Sequence, residues 1–143
     1  MDRSGDRRYG RAMGRIYDSA DSFEALYTQM FDRIDVEDPD GMDELVDLQM
    51  VIRFRVREPD VELWIDGRSK PVVTSFGPRD LDPTLTASLT ANSMHELLLG
   101  TLPLGKAMLF RKLKVSGSTS KAMKLEGLLH TMQAVYPELA ADL

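Results

Sequence analysis

Two short segments in which aliphatic residues occupy every second position constrain the fold of this chain more than any other feature. Residues 52–57 alternate three apolar residues with three arginines, and residues 61–66 alternate three aliphatic residues with Glu62, Trp64 and Asp66. Because successive side chains of a strand point to opposite faces of a sheet, both segments are predicted to be strands with one buried and one polar face. A Glu-Pro-Asp turn between them predicts a hairpin, in which Glu62 and Asp66 lie opposite the arginines and Trp64 lies beneath one of them.

Periodicity divides the rest of the chain into three further strands and five helices. Alternation predicts the strands, and apolar residues spaced three and four apart predict helices with one buried face. Asp21 with Glu24 forms a capping pattern for the first helix, and Ser93 with Glu96 forms one for the third. Pro137 is predicted to end the last helix. The predicted strands are 72–76, 84–90 and 113–115, and the predicted helices are 21–35, 42–48, 93–99, 103–109 and 118–136.

The order of these elements predicts an α+β fold. Three consecutive strands joined by short turns form an antiparallel meander, and a connection through two helices returns the last strand to the same sheet. Each alternating strand keeps one polar face, so the helices are predicted to cover only the other face. We therefore expect a two-layer sandwich of one sheet and one helical layer.

The composition excludes several kinds of chemistry. A length of 143 residues fits one domain. The absence of cysteine excludes disulfides, thiolate metal sites and a cysteine nucleophile, and two histidines are too few for a three-histidine zinc centre. No apolar run approaches the roughly 20 residues of a membrane-spanning helix, and the N-terminus has no apolar stretch of signal-peptide length. We therefore expect a cytoplasmic protein that uses neither a metal nor a cofactor.

Charge is distributed unevenly along the chain, whose formal net charge is −5. Residues 1–17 carry five arginines and two aspartates, whereas residues 18–48 carry eleven acids and one arginine. Such runs are commonly solvated helix faces. The sharper interpretation is a basic N-terminal arm at 1–20, followed by a single domain at 21–143. Apolar residues at Tyr9–Tyr17 are spaced as on a helix, but two glycines weaken it. The arm is therefore predicted to be flexible, or to become helical by docking on a second copy in a homodimer.

The C-terminal half carries a recognisable motif. Lys112–Gly117 is followed by Ala122–Leu125, and a tryptophan-bearing strand and turn at Trp64–Gly67 precede them. Together with the element order, these residues resemble the sterol carrier protein type 2 family, most specifically over 84–129. The resemblance implies a five-stranded, mostly antiparallel sheet with helices on one face and an apolar tunnel between the layers. Arg111 departs from the pattern, because the family usually has glycine there.

The resemblance also implies what the protein does. Members of the family bind or transfer a sterol, fatty acid, acyl-coenzyme A ester or phospholipid without catalysis. Such a ligand needs a deformable apolar cavity, and methionine side chains are flexible and polarizable. Apolar residues are core residues by default, but the resemblance makes nine of them candidate ligand-binding residues of the tunnel wall. They are Phe54, Phe76, Leu97, Leu98, Leu102, Met108, Met123, Leu128 and Met132.

No arrangement of residues in the sequence points to catalysis. His95 and His130 are predicted to be exposed or capping residues, and neither has a neighbouring nucleophile. Ser116 lacks the flanking glycines of a nucleophile elbow, and Asp80 and Asp82 lie in turn-rich sequence where aspartate closes turns. We therefore expect a protein that is not an enzyme. An enzyme acting on a lipid-like substrate would need a buried titratable group in the tunnel.

Cationic residues of the first and last strands form a basic stripe on the open face of the sheet. The stripe comprises Arg53, Arg55, Arg57, Lys112 and Lys114. Nucleic acid would need exposed aromatic rings beside the stripe for stacking, and only Trp64 qualifies, so no nucleic-acid partner is expected. The predicted partner of the stripe is an anionic membrane surface, bound transiently, or the headgroup of a ligand.

Two functions therefore follow from the sequence. The first is non-catalytic binding and transfer of a hydrophobic ligand. The alternative is an accessory or oligomerisation module of a larger lipid-metabolising system, without free lipid carriage. The composition does not distinguish one lipid from another, because sterols, acyl chains and acyl esters all fit an apolar cavity.

Overall fold

Five strands and seven helices follow one another in residues 14–143, the part of the chain that the computed structural model describes. The predicted arm falls outside this part as far as residue 13. The helices are α1 Ala20–Glu37, α2 Asp43–Asp47, α3 Ala91–Leu99, α4 Leu104–Leu109, α5 Thr119–Ala122, α6 Leu125–Gln133 and α7 Tyr136–Leu139. The strands are β1 Val51–Arg57, β2 Val61–Asp66, β3 Val73–Phe76, β4 Leu85–Thr90 and β5 Leu113–Gly117.

The strands form one sheet in the order β3-β2-β1-β4-β5. β1, β2 and β3 make the predicted antiparallel meander, and β5 pairs antiparallel with β4. β4 lies parallel to β1, with Phe54 level with Ala87. The sheet is therefore mixed but mostly antiparallel, which confirms the predicted fold class.

The alternation in β1 has the predicted consequence. Ile52, Phe54 and Val56 are at most 3% exposed, whereas the arginines between them are half-buried or exposed. The buried face of the sheet packs against a helical layer that includes the apolar stripe of α1. Burial of this apolar surface is the main stabilising contribution to the fold.

Helix α1 begins earlier than predicted, and a different residue caps it. Ser19 Oγ accepts a hydrogen bond from the Ser22 amide at 3.1 Å, and Ser22 Oγ accepts one from the Ser19 amide at 3.1 Å. A serine hydroxyl can therefore complete both halves of a capping box. The predicted Asp21 cap is wrong, since Asp21 lies inside the first turn.

Helix α3 also begins before its predicted cap. Thr90, the last residue of β4, is the N-cap, and its Oγ1 accepts from the Ser93 amide at 3.1 Å. Ser93 is thus the third helical residue, and its backbone amide donates the capping hydrogen bond to Thr90. The left-handed end at Gly100 agrees with prediction, with φ of 80°.

The predicted last helix is three helices. α5 and α6 are separated by two residues, and α7 begins at Tyr136, where the sequence predicted a stop. Pro137 lies in the first turn of α7, where proline is tolerated because its missing N–H needs no intrahelical partner. Pro137 therefore starts a helix here.

The segment before α1 packs on the domain without being helical. Residues 14–19 have no helical backbone, so the helical face predicted from Tyr9 is not continued there. The Ile16 amide donates to Asn92 Oδ1 at 2.9 Å, and Tyr17 is 1% exposed. Tyr17, which was assigned to the arm, is thus part of the core.

Candidate functional site

Most of the predicted tunnel residues lie in the layer between the sheet and the helices. Six of the nine are buried members of one apolar cluster, namely Phe54, Leu97, Leu98, Leu102, Leu128 and Met132. They come from β1, α3, α6 and the segment that leads from α3 into α4. The fold therefore brings together residues that are up to 78 positions apart in sequence. Their contact with a ligand stays a prediction.

The other three predicted residues lie outside this cluster. Phe76 is half-buried at the end of β3, which is an edge strand. Met108 is 45% exposed and Met123 is 71% exposed. Both methionine side chains therefore face water in this structure and lie apart from the buried cluster.

A cluster of polar aromatic side chains interrupts the apolar layer. Tyr17 Oη hydrogen-bonds with Tyr136 Oη, and His95 Nδ1 lies 2.7 Å from the same Tyr136 oxygen. Tyr27 packs beside them, its ring centroid 5.8 Å from that of Tyr136, and its buried Oη has no hydrogen-bond partner among the described residues. His95 is thus half-buried and bonded, not exposed as predicted.

Burial sets the protonation of this tyrosine–histidine cluster. It raises the pKa of Tyr17 to about 12 and raises the pKa values of Tyr27 and Tyr136. It also lowers the pKa of His95, although the nearby Glu96 opposes this effect. At neutral pH the phenols and the imidazole of this cluster are therefore all uncharged. Hydrogen bonds join Tyr17 to Tyr136 and Tyr136 to His95.

The sequence contained no signal for this cluster. Its members come from the segment before α1 and from α1, α3 and α7, and Tyr17 and Tyr136 are 119 positions apart. Periodicity reports which face of an element is buried, but not which residues of distant elements meet.

A groove of about 800 Å³ is lined mainly by polar-face residues of the sheet, together with Val56 and Val61 of the buried face and Glu24 of α1. The strand register aligns Glu62, Arg55, Ser88 and Lys114 across four neighbouring strands. The groove is lined by Glu24, Arg55, Val56, Arg57, Asp60, Val61, Glu62, Gly77, Pro78, Ser88 and Lys114. It shares no residue with the nine predicted ligand contacts.

Arg53 of the basic stripe contacts three neighbouring side chains. Its Cζ lies 5.6 Å from the centroid of the Trp64 ring, its Nη1 lies 3.8 Å from Glu62 Oε2, and its Nε donates to Thr86 Oγ1 at 3.3 Å. The prediction that Trp64 lies beneath an arginine is confirmed. Trp64 is only 1% exposed, so its ring is covered.

The predicted pairing of Asp66 with the same arginines is wrong. Asp66 lies opposite Val51, beyond the arginines, and Arg68 binds its carboxylate through Nε at 2.9 Å and Nη2 at 2.7 Å. Hydrogen bonds from Arg68 lower the pKa of Asp66.

The remaining cations of the basic stripe separate into two groups. Arg55, Arg57 and Lys114 line the groove, and none of them has an ion pair within the described residues. Lys112 does not belong to the group that lines the groove, because its Nζ lies 4.0 Å from Glu96 Oε1 on the helical layer. The open face therefore offers three unpaired cations beside the groove's own acids.

Within residues 14–143 no three acidic or imidazole groups are placed to hold a metal ion. None of the helices in the described part is long and apolar enough to cross a membrane.

Several solved structures share this architecture. The solution structure of the sterol carrier protein domain 2 of Helicoverpa armigera matches with a TM-score of 0.61 and 16% identity, over 78% of this chain and 87% of that one. Palmitated SCP2L2 from Aedes aegypti matches with a TM-score of 0.56 and 21% identity, over 75% and 93%. Sterol carrier protein 2 from Yarrowia lipolytica, in its apo form, matches with a TM-score of 0.54 and 20% identity, over 66% and 84%. At these identities the likeness establishes the fold.

A family model gives the sequence-level result. No curated protein is similar enough to count as a match. The model of the SCP-2 sterol transfer family matches residues 29–130, which run from the middle of α1 to α6 and include every strand. That match spans more than two thirds of the chain, and the solved structures carry the same fold. The chain therefore belongs to the SCP-2 sterol transfer family.

Proposed function

We propose that this protein carries one hydrophobic ligand with a long acyl chain between its sheet and its helical layer. Lipid binding and transfer is the function of the family. One solved structure of the same fold is described as palmitated, and another as a complex with palmitate. The observation that carries the proposal is the continuous apolar cluster between the layers, which includes six predicted contact residues. Met94 and Met132 lie in this cluster, and flexible thioether chains can move aside for a ligand.

Native mass spectrometry of freshly purified protein tests this proposal. Organic extraction identifies any lipid that co-purifies, and displacement of a fluorescent fatty acid measures binding to the stripped protein. We expect one ligand per chain. A protein that yields no lipid and does not bind the fluorescent fatty acid would rule the proposal out.

Leu128 provides a mutational test of where the ligand lies. Leu128→Trp fills space in the apolar cluster and is expected to reduce fatty-acid binding at least about tenfold, since extra volume there competes with the ligand. Leu128→Met is the control, because it keeps the volume and adds flexibility. Circular dichroism establishes that both variants fold. Equal binding by the two folded variants would place the ligand elsewhere.

We propose further that the protein does not catalyse a reaction. The tyrosine–histidine cluster is a buried titratable group of the kind that an enzyme would need. However, it contains no serine, cysteine or lysine nucleophile, and phenols with raised pKa values are poor bases at neutral pH. A bound acyl ester is therefore expected to be recovered chemically unchanged, which mass spectrometry of the extracted ligand measures. The cytoplasmic location stays a prediction.

The alternative function is an accessory or oligomerisation module. One solved structure of the same fold, with a TM-score of 0.50, is described as the ubiquinone synthesis protein UbiJ-SCP2. Deletion of residues 1–13 tests the predicted arm and leaves Tyr17 in the core. A dimer that becomes a monomer on this deletion, together with no lipid binding, would favour this function over carriage.

A further inference from the structure

The C-terminal end of α4 and the residue after it expose three consecutive large apolar side chains. Met108, Leu109 and Phe110 are 45%, 73% and 62% exposed. On a helix at the protein surface, apolar residues normally recur every three or four positions and face the core, while polar residues face water. A contiguous exposed apolar group of this kind is typical of a surface that contacts a membrane or another molecule. We call residues 108–111 the apolar corner.

The backbone holds the apolar corner in place. Ala107, at its base, is fully buried, and its carbonyl accepts from the Lys112 amide at 2.8 Å. The Phe110 amide donates to the Lys106 carbonyl at 2.9 Å. Arg111 has φ of 60°, a left-handed conformation that favours glycine. The arginine is therefore held in this closed turn at a conformational cost.

The charged residues next to the apolar corner in sequence are all basic. Between residues 101 and 117 the chain has four lysines and arginines and no acid, although its net charge is −5. Lys106 and Arg111 are exposed and have no ion pair among the described residues. Among the described residues, the ion pair of residues 101–117 joins Lys112 to Glu96, with 4.0 Å between Nζ and Oε1. The surface is therefore complementary to an anionic partner.

The sheet places the polar groove at the same end of the molecule. Leu113, the first residue of β5, pairs with Leu89, and Leu89 is also level with Val56 of β1. The apolar corner precedes Leu113 directly, so it lies at the end of the sheet where Arg57 lines the groove. The groove also contains Glu24, Asp60 and Glu62, so its own charge is balanced.

We propose that the apolar corner docks this protein on an anionic phospholipid bilayer. Leu109 and Phe110 enter the boundary between headgroups and acyl chains, while Lys106 and Arg111 contact lipid phosphates. Apolar insertion and cationic attraction together give reversible binding, which suits a carrier that must leave the membrane again. This inference rests on the proposed lipid carriage only in that carriage gives the docking a biological purpose. Docking itself needs no bound ligand.

Sedimentation with phospholipid vesicles tests the docking, with ligand-stripped protein. We expect binding to vesicles of phosphatidylcholine with phosphatidylserine, and much weaker binding to phosphatidylcholine alone. The double variant Leu109→Ser, Phe110→Ser is expected to bind at least about tenfold more weakly, because two apolar side chains no longer enter the bilayer. Arg111→Gln is expected to lose about fivefold, as one cation contributes about that much at an anionic surface.

Matched controls separate the apolar corner from general adhesion. Val36→Ser removes an apolar side chain that is 81% exposed on α1, and Lys121→Gln removes a cation beyond the opposite end of β5. Both are expected to bind vesicles like the unchanged protein. Equal losses in corner and control variants, or equal binding to the two kinds of vesicle, would overturn the proposal. Capture of an acidic protein through the apolar corner without vesicle binding would overturn it in favour of a protein partner.

A fatty-acid binding assay distinguishes the docking proposal from the proposed carrier function. The Leu109→Ser, Phe110→Ser variant is expected to bind fluorescent fatty acid normally, because neither residue belongs to the buried cluster. If the unchanged protein binds vesicles but no fatty acid, the carrier proposal fails and the docking stands. If it binds fatty acid but no anionic vesicle, only the docking fails.

Discussion

At Arg111 the backbone conformation and the side chain are in conflict. A left-handed conformation costs an ordinary residue roughly 1–2 kcal/mol, and glycine avoids most of this cost. The arginine has no ion pair in the described structure that would offset it. This conflict explains in physical terms why glycine would suit the position, as the family resemblance implies.

Arg111→Gly is therefore expected to raise the free energy of unfolding by about 0.5–1 kcal/mol, since relief of strain exceeds the added freedom of the unfolded chain. Urea denaturation measures the change. Arg111→Ala keeps the strain and serves as the control, with an expected change near zero. A glycine variant less stable than the alanine variant would show that the turn is not strained.

Two tyrosines of the buried cluster are expected to respond in opposite directions. Tyr27→Phe removes a buried hydroxyl that has no hydrogen bond within the described part of the chain, so stability should stay constant or rise by about 1 kcal/mol. Tyr136→Phe leaves Tyr17 Oη and His95 Nδ1 without their shared partner, and should cost about 1–3 kcal/mol. Thermal and urea denaturation of both variants measure this contrast. A loss of similar size in both would mean that Tyr27 Oη has a partner.

At the scale of the elements, the start of α3 depends on one hydroxyl. Thr90 ends β4 and caps α3, so the strand and the helix share this residue. Thr90→Ala is expected to cost about 1 kcal/mol in unfolding free energy, whereas Thr90→Ser should retain most of the cap. If Ser93 were the cap, as the sequence indicated, Ser93→Ala would be the more damaging change. Urea denaturation of the three variants decides between the two residues.

Strands were easier to predict than helix ends, for a physical reason. Alternation extends over a whole strand, so β1, β2 and β4 were each predicted to within a residue or two. A helix start depends on one side chain, and Ser19, Asp21 and Ser22 all resemble caps in the sequence. Only the backbone geometry shows which of them receives the first amide.

The site was predictable only where it depends on the same periodicity. The burial of Phe54, Leu97, Leu98, Leu128 and Met132 could be assigned from alternation and helical spacing, whereas the choice of Leu102 and the role of all six as ligand contacts came from the family resemblance. The exposure of Met108 and Met123 could not be predicted, because an exposed methionine and a buried one look alike in sequence. The tyrosine–histidine cluster and the balanced charge of the groove depend on contacts between distant elements, which no local pattern reports.

For the whole molecule, the cluster predicts how stability depends on pH. Burial lowers the pKa of His95, so the folded protein holds this proton less tightly than the unfolded chain, whose imidazole titrates near 6.5. The contribution of uncharged His95 to the free energy of unfolding is therefore complete above about pH 6.5, and it is lost as the pH falls below that value. His95→Gln should reduce this decline, whereas His130→Gln should leave it in place. Urea midpoints measured between about pH 7.5 and 5 test the expectation. An unchanged decline in His95→Gln would assign it to carboxylates.

The contact between Tyr17 and Tyr136 ties the segment before α1 to the last helix, across 119 positions of sequence. Contacts between such distant positions carry a large loop-closure entropy and tend to form late in folding. The two ends of the described chain should then open together, because losing either tyrosine exposes the other. Amide hydrogen exchange in α7 would consequently report on the attachment of residues 14–19. A tag or fusion placed at either end of the domain therefore acts on both.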